Sequence, residues 1–284
     1  MKKIVTASVV CFIAFISLTS MIAGKTKNAA TISNKSVSTS SVTNNSALVN
    51  YWIDSLYSIM NLSETGLSRD VFFTAYKGYE YMLSQNEVLK PGLLTICDYS
   101  QVSSKKRLYV LDLNAAKILF NTYVAHGHNS GNDYATSFSN SDDSHKSSLG
   151  FMRTAETYFG DNGYSMRLDG MENGFNNNVR ARAIVMHGSN YVNAERASNG
   201  TMMGRSFGCP AVPAAEVKDI IDHIKGGSCF FNYYPDKNYT RASKIINADF
   251  VWPITQSAQI ASAKIKLPDS LSKLVSGAAN IPVN

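Results

Sequence analysis

From Lys90 onward the chain is a series of short apolar runs separated by turn residues, and a helix interrupts them only once. "KPG" at Lys90 to Gly92 opens the series. "LLTICDYS", "KRLYVLDL", "KILFNTYVAHG", "ARAIVMHG" and "GSCFFNYY" follow, each rich in aromatic and β-branched residues and short enough for a strand. "KRLYVLDL" and "KILFNTYVAHG" flank "NAA" and read as a hairpin whose turn type is open. The interrupting helix is "PAAEVKDIIDHIKGG". Pro213 opens it, Val217, Ile220, Ile221 and Ile224 form its apolar face, and Gly226 or Gly227 ends it. That order predicts an α+β fold built on a mainly antiparallel sheet or small barrel.

Upstream, residues 47–90 read as a helical hairpin. Val49, Trp52, Leu56 and Ile59 recur at helical spacing, and "NLSETG" breaks the run. Ser68 then offers an N-cap for a second helix striped by Phe72, Ala75, Tyr79 and Met82. Residues 24–46 are mostly Ser, Thr, Asn, Lys and Val, and read as a linker that buries no core. Residues 1–23 place Lys2 and Lys3 before an apolar run from Ile4 to Leu18, with small residues reaching Ala23. That is the layout of a secretory signal peptide, or of an uncleaved anchor tethering the chain to a membrane. Either reading carries the rest out of the cytoplasm, to a periplasm or cell envelope. Residues 91–235 form the expected β-rich domain, and residues 236–284 a C-terminal tail with an amphipathic run at "PDSLSKLV".

The 284 residues carry a formal net charge of +6, two of those positive charges being Lys2 and Lys3. A mildly basic surface suits an anionic polymer, but no RNA-binding motif or basic cluster points to nucleic acid.

Outside the leader stand three cysteines, an odd number for an oxidising compartment. Cys97 and Cys229 sit in strand-like runs, where they either pair or fill core volume. Cys209 differs. It lies in "GRSFGCPAVP", between Gly208 and Pro210, where a tight turn sets a side chain apart. His187 ends the apolar run "VMHG", 22 positions earlier. A thiol attacks a carbonyl as thiolate, and a free cysteine has a pKa of about 8.5, so it needs a neighbouring base. His187 supplies an imidazole. Gly188 lets the chain turn with its carbonyl exposed, and Gly208 and Cys209 can offer N–H groups to a developing oxyanion.

"HG" at a strand end followed by "SFGC" resembles the active-site signature of the L,D-transpeptidases, the YkuD-like murein-crosslinking enzymes. The resemblance runs from Leu93 to Pro235, through "LYVLDL", "FNTYVAHGHNSG", "ATSFSN", "SHKSSLGF", "ETYFGDNGYSMRLDG", "RAIVMHG", "GRSFGCPAVP" and "IKGGSCFF". These point to the murein L,D-transpeptidase catalytic domain family. The resemblance implies Cys209 as nucleophile, His187 as base and acid, and the Gly188 carbonyl as the group orienting the imidazole. It implies Ser206 and Gly208 as the small residues of the cysteine loop. The implied partner is the tetrapeptide stem of peptidoglycan, attacked before its terminal D-alanine to give a thioester, which an amine on a second stem resolves. No metal or organic cofactor is implied. Phe207 and Ala211 depart from the family pattern, standing where many members have histidine and arginine or asparagine. Arg205 and Arg167 are candidates for the missing positive charge toward a stem-peptide carboxylate.

Three other readings remain at this level. Water in place of the acceptor amine makes the protein an L,D-carboxypeptidase. Loss of catalysis leaves a wall-binding module. "HGHNSGNDYATSFSNSDDSH" holds His126, His128, Asp133, Asp142, Asp143 and His145, whose spacings partly match zinc murein peptidases but in the wrong order. His223, near the end of its helix, reads as structural.

Overall fold

The structure, a computed structural model, describes residues 40–249, with side chains from residue 49 onward. The leader, most of the linker and the run at Pro268 to Val275 lie outside the described residues. No helix among the described residues is long and apolar enough to cross a membrane.

Two helices lead the domain, α1 (Ser40–Ile59) and α2 (Arg69–Ser84), joined through a short 3-10 turn at Leu62–Thr65. Helix α1 begins ahead of the apolar stripe, within the Ser/Thr/Asn-rich stretch. An anchored amphipathic face lets a helix propagate outward at little cost. Ser68 caps α2 as expected: its Oγ accepts the Val71 N–H at 3.3 Å. Asp70 in the first turn complements the helix dipole. Phe72, Ala75, Tyr79 and Met82 are all buried. The α1 stripe is rotated from its expected position. Ile53 is fully buried, while Ile59 points to solvent at 47% exposure.

The strands are β1 (Leu93–Asp98), β2 (Leu108–Asp112), β3 (Lys117–Thr122), β4 (Gly150–Gly160), β5 (Gly163–Gly170), β6 (Val185–Ser189), β7 (Ala211–Pro213) and β8 (Cys229–Tyr233). They form one sheet in the order β3-β2-β1-β8-β4-β5-β6-β7. β1/β8 and β6/β7 pair parallel, and the other neighbours antiparallel. Beyond the end of β3, Ala125 bridges Ala211 of β7, its N–H meeting the Ala211 carbonyl at 2.8 Å. This joins the two edges, so the sheet is a nearly closed barrel.

The β4–β5 hairpin was not foreseen as strands. Arg153, Glu156 and Asp169 interrupt the apolar pattern of "RTAETYF" and "SMRLDG". Those charges pair instead: Arg180 bonds Glu156 and Asp169, and Arg153 bonds Asp169.

The sheet separates two cores. Helix α2 packs over β1 and β8, with Leu94, Ile96, Phe151, Cys229 and Phe231 beneath it. The barrel interior holds Cys97, Val110, Met152, Met166, Met186 and Phe230. Helix α4 (Val217–Ile224) closes that interior with Val217, Ile220, Ile221 and Ile224, the four residues expected on its apolar face. Pro213 does not open this helix. It ends β7, and the helix starts after Glu216.

Cys97 and Cys229 fill core volume and do not pair. Cys229 lies opposite Leu94 in the β1/β8 register, three positions from Cys97. Alternation along the strand puts them on opposite faces of the sheet. Both thiols are free. Two shorter helices complete the domain, α3 (Ala194–Ser198) and α5 (Lys237–Ala242). α5 docks the start of the tail: Tyr239 is buried and donates its hydroxyl to Glu172 at 2.6 Å.

Candidate active site

Parallel pairing of β6 with β7 sets the site. The register places His187 opposite Ala211, so Cys209 lies two residues ahead of the histidine's partner. Both side chains line one cavity of about 420 Å³, with Arg182, Tyr191, Arg205 and Phe207.

Nδ1 of His187 lies 3.0 Å from the Gly188 carbonyl. A carbonyl only accepts, so Nδ1 carries the proton and Nε2 is left with its lone pair. Gly188 also lets helix α4 pack closely against β6: a Cβ there would lie 2.8 Å from Val217 Cγ1. Burial pushes the His187 pKa down, and the Gly188 carbonyl partly opposes it.

Cys209 is 9% exposed. Its Sγ accepts the Val185 N–H at 3.4 Å and donates to the Ala183 carbonyl at 3.9 Å. The thiol proton therefore rests on backbone rather than on His187. Burial pushes the thiol pKa up, while the Val185 N–H and the charge of Arg182 pull it down. With the imidazole shifted down and the thiol shifted up, the resting pair is neutral. Proton transfer to Nε2 belongs to the attack itself.

The cysteine loop is held from within. Ser206 Oγ donates to the Cys209 carbonyl at 2.6 Å and accepts the Gly208 N–H at 3.1 Å. This corrects one expectation: the Gly208 N–H is committed to Ser206 and does not face an oxyanion. The Cys209 N–H has no acceptor among the described residues. Gly208 has φ 120°, and a Cβ there would lie 2.7 Å from the Lys146 carbonyl. No other residue fits without displacing that backbone.

The two candidate arginines part company. Arg205 lines the cavity while its Nη1 holds the His128 and Gly131 carbonyls and Asn132 Oδ1, at 3.0 to 3.2 Å. Arg167 is not brought to the site. On β5 it pairs with Glu156 at 3.4 Å and lies over the Tyr158 ring. Phe207 is exposed and stacks on His145, their centroids 4.4 Å apart. Ala211 is buried in β7. Arg182 is a site residue that the motif reading passed over. Its one sequence signal is its place just ahead of the histidine strand, in "RAIVMHG".

The histidine-rich segment does other work. His126 is fully buried, and its Nδ1 accepts from Arg107 Nη2 at 2.7 Å. Burial and the Arg107 charge push its pKa down to about 4. His128 opens a short 3-10 turn. Among the described residues, no three of the His, Cys, Asp and Glu side chains come together as a metal cluster. His223 caps its own turn, Nδ1 lying 2.7 Å from the Asp219 carbonyl.

A buried thiol and a carbonyl-oriented imidazole in one cavity, on a nearly closed α+β barrel, make a frame for thiol-based acyl transfer. The chain belongs to the L,D-transpeptidase catalytic domain family, which it matches over residues 63–233. No curated protein matches the chain. Among solved structures it is similar to an L,D-transpeptidase from Mycobacterium smegmatis, at 10% identity and TM-score 0.32, covering 50% of this chain and 59% of that one. It is also similar to the helical cell shape determining protein Pgp2 from Campylobacter jejuni, at 14% identity and TM-score 0.33, covering 57% of each chain. A third is the L,D-transpeptidase from Xylanimonas cellulosilytica, at 15% identity and TM-score 0.29, covering 54% of this chain and 68% of that one. The chain thus spans less than two thirds of the first two.

Proposed function

We propose that the protein is an exported cysteine L,D-transpeptidase acting on peptidoglycan tetrapeptide stems. The observation that carries this reading is the Nδ1–H of His187 held on the Gly188 carbonyl, which leaves Nε2 as a free base in the cavity of Cys209. Cys209 Sγ attacks the carbonyl before the terminal D-alanine, and its proton passes to Nε2. The Cys209 N–H, free of an acceptor, stabilises the oxyanion. The C–N bond breaks, the leaving amine takes the proton from His187, and D-alanine departs from a thioester. An acceptor amine on a second stem then attacks. It gives a proton to Nε2, the C–S bond breaks, and Sγ regains the proton. Export rests on the layout of residues 1–23.

Purified protein incubated with tetrapeptide-containing muropeptides should release D-alanine and form crosslinked dimers, read by mass spectrometry. Tripeptides without dimers would favour the carboxypeptidase. Unchanged muropeptides from a folded protein would leave the wall-binding module.

A further inference from the structure

The guanidinium of Arg182 is half-buried, and among the described residues no carboxylate bonds to it. Nη1 donates to the Ser139 carbonyl at 2.8 Å and Ser148 Oγ at 2.6 Å. Nη2 donates to Ser144 Oγ at 3.0 Å and the Lys146 carbonyl at 2.8 Å. All four acceptors are neutral. Among the described residues Arg182 forms no ion pair, and exposed Asp142 acts on it only through space. Its Nε is buried with no partner. Two residues earlier, Arg180 is bonded to two carboxylates. Desolvating a cation is unfavourable, and this burial pulls the Arg182 pKa down, opposed by the charge of Asp142.

The charge stands where one anion of the proposed reaction forms. Arg182 lines the Cys209 cavity, and the carbonyl of the next residue, Ala183, accepts from Sγ. Ala183 has φ 52°, a left-handed conformation that strains an alanine. The Lys146 carbonyl held by Nη2 is the group packed against Gly208. One guanidinium thus braces both walls of the thiol pocket. The other ionisable groups facing Sγ are accounted for. His187 is held neutral, Arg205 is engaged with residues 128–132, and burial keeps the Tyr99 and Tyr191 phenols protonated.

We propose that Arg182 is the positioning residue for Cys209: its charge, hydrogen-bonded only to neutral acceptors, favours the thiolate, and its fork fixes residues 139–148 against the cysteine loop. The proposal rests on the nucleophilic role of Cys209, but not on the identity of the substrate.

The test is the rate of Cys209 alkylation by iodoacetamide against pH, with the site confirmed by peptide mass. Arg182→Met should move the midpoint up by about one pH unit and slow alkylation near neutral pH about tenfold. Ser148→Ala removes one loop bond and leaves the charge, so it should lower Tm with the midpoint unmoved. If Arg182→Met folds and titrates like wild type, the residue is only a structural pin and the proposal fails. Wild-type protein gives a second readout that needs no substitution at Arg182. The ¹⁵N shift of Arg182 Nε should titrate with the thiol and lose that step in Cys209→Ser. A flat Nε shift would overturn the proposal. Neither measurement uses peptidoglycan, so absence of muropeptide turnover would refute the transpeptidase reading and leave this one standing.

Discussion

Two buried cysteines on two regions of the barrel show what separates packing from chemistry here. Under the helical hairpin, Cys229 meets Met82 Sδ at 3.9 Å and is otherwise surrounded by apolar side chains. Beside β6 and β7, Cys209 meets a backbone N–H, a backbone carbonyl and the field of an arginine. Burial pushes both thiols up, so burial does not distinguish them. The difference lies in the charges and hydrogen-bond donors beside each thiol. Around Cys229 the nearby charge, Glu172, pushes the thiol up further, whereas around Cys209 the N–H and Arg182 pull it down.

The largest effect expected is therefore an asymmetric one. Cys209→Ala should abolish turnover, by more than about a thousandfold, with an unchanged circular dichroism spectrum. Cys229→Ala should keep kcat and lose about 1–2 kcal/mol of stability, read by urea titration. Activity retained in the first variant would remove the chemical half of the contrast. Gly208→Ala comes next. A methyl at φ 120° facing the Lys146 carbonyl should cost about 3 kcal/mol and displace the cysteine loop. Tm and turnover should fall together.

A third effect belongs to the segment sewn to the cysteine loop. The Ser206 N–H donates to the His126 carbonyl at 3.0 Å. His126 has a folded pKa near 4 against an ordinary value of 6.5. Above about pH 6.5 both states are neutral there, and no stability depends on it. As pH falls toward 4 the unfolded chain takes up the proton and the folded chain does not. About 3 kcal/mol of stability should be lost across that window. In His126→Gln, whose amide carbonyl can accept from Arg107, that part of the pH dependence should disappear. An equally steep acid limb in the variant would assign it to other groups.

The hairpin region was legible because packing writes itself as periodicity. Ser68 and the Phe72–Met82 stripe needed nothing beyond helical spacing. The β4–β5 hairpin was hidden because its outer face is built from ion pairs across strands, which no single run reveals. The sequence signals "HG" and "SFGC" led to residues that the fold brings together, Cys209 and His187 lining one cavity and His187 Nδ1 meeting the Gly188 carbonyl. The site was not legible in its electrostatics. Arg182 and Arg167 look alike in sequence, each a basic residue beside an apolar run. Only the fold pairs Arg167 with Glu156 and, among the described residues, leaves Arg182 outside any ion pair.

The smallest effect sharpens the contrast from the hairpin side. Ser68→Ala removes the acceptor of the Val71 N–H at the start of α2. Loss of an N-cap hydroxyl costs about 1 kcal/mol. The capped turn packs Val71 and Phe72 into the core beneath the helices, on the opposite side of the sheet from the interior that includes Cys209. Unfolding should therefore shift to lower urea with an unchanged slope. The alkylation midpoint of Cys209 should stay at its wild-type value, because no charge or hydrogen bond near the thiol has moved. A shift in that midpoint would mean that the two regions are coupled through the sheet, and that the hairpin tunes the thiol as well as covering a core.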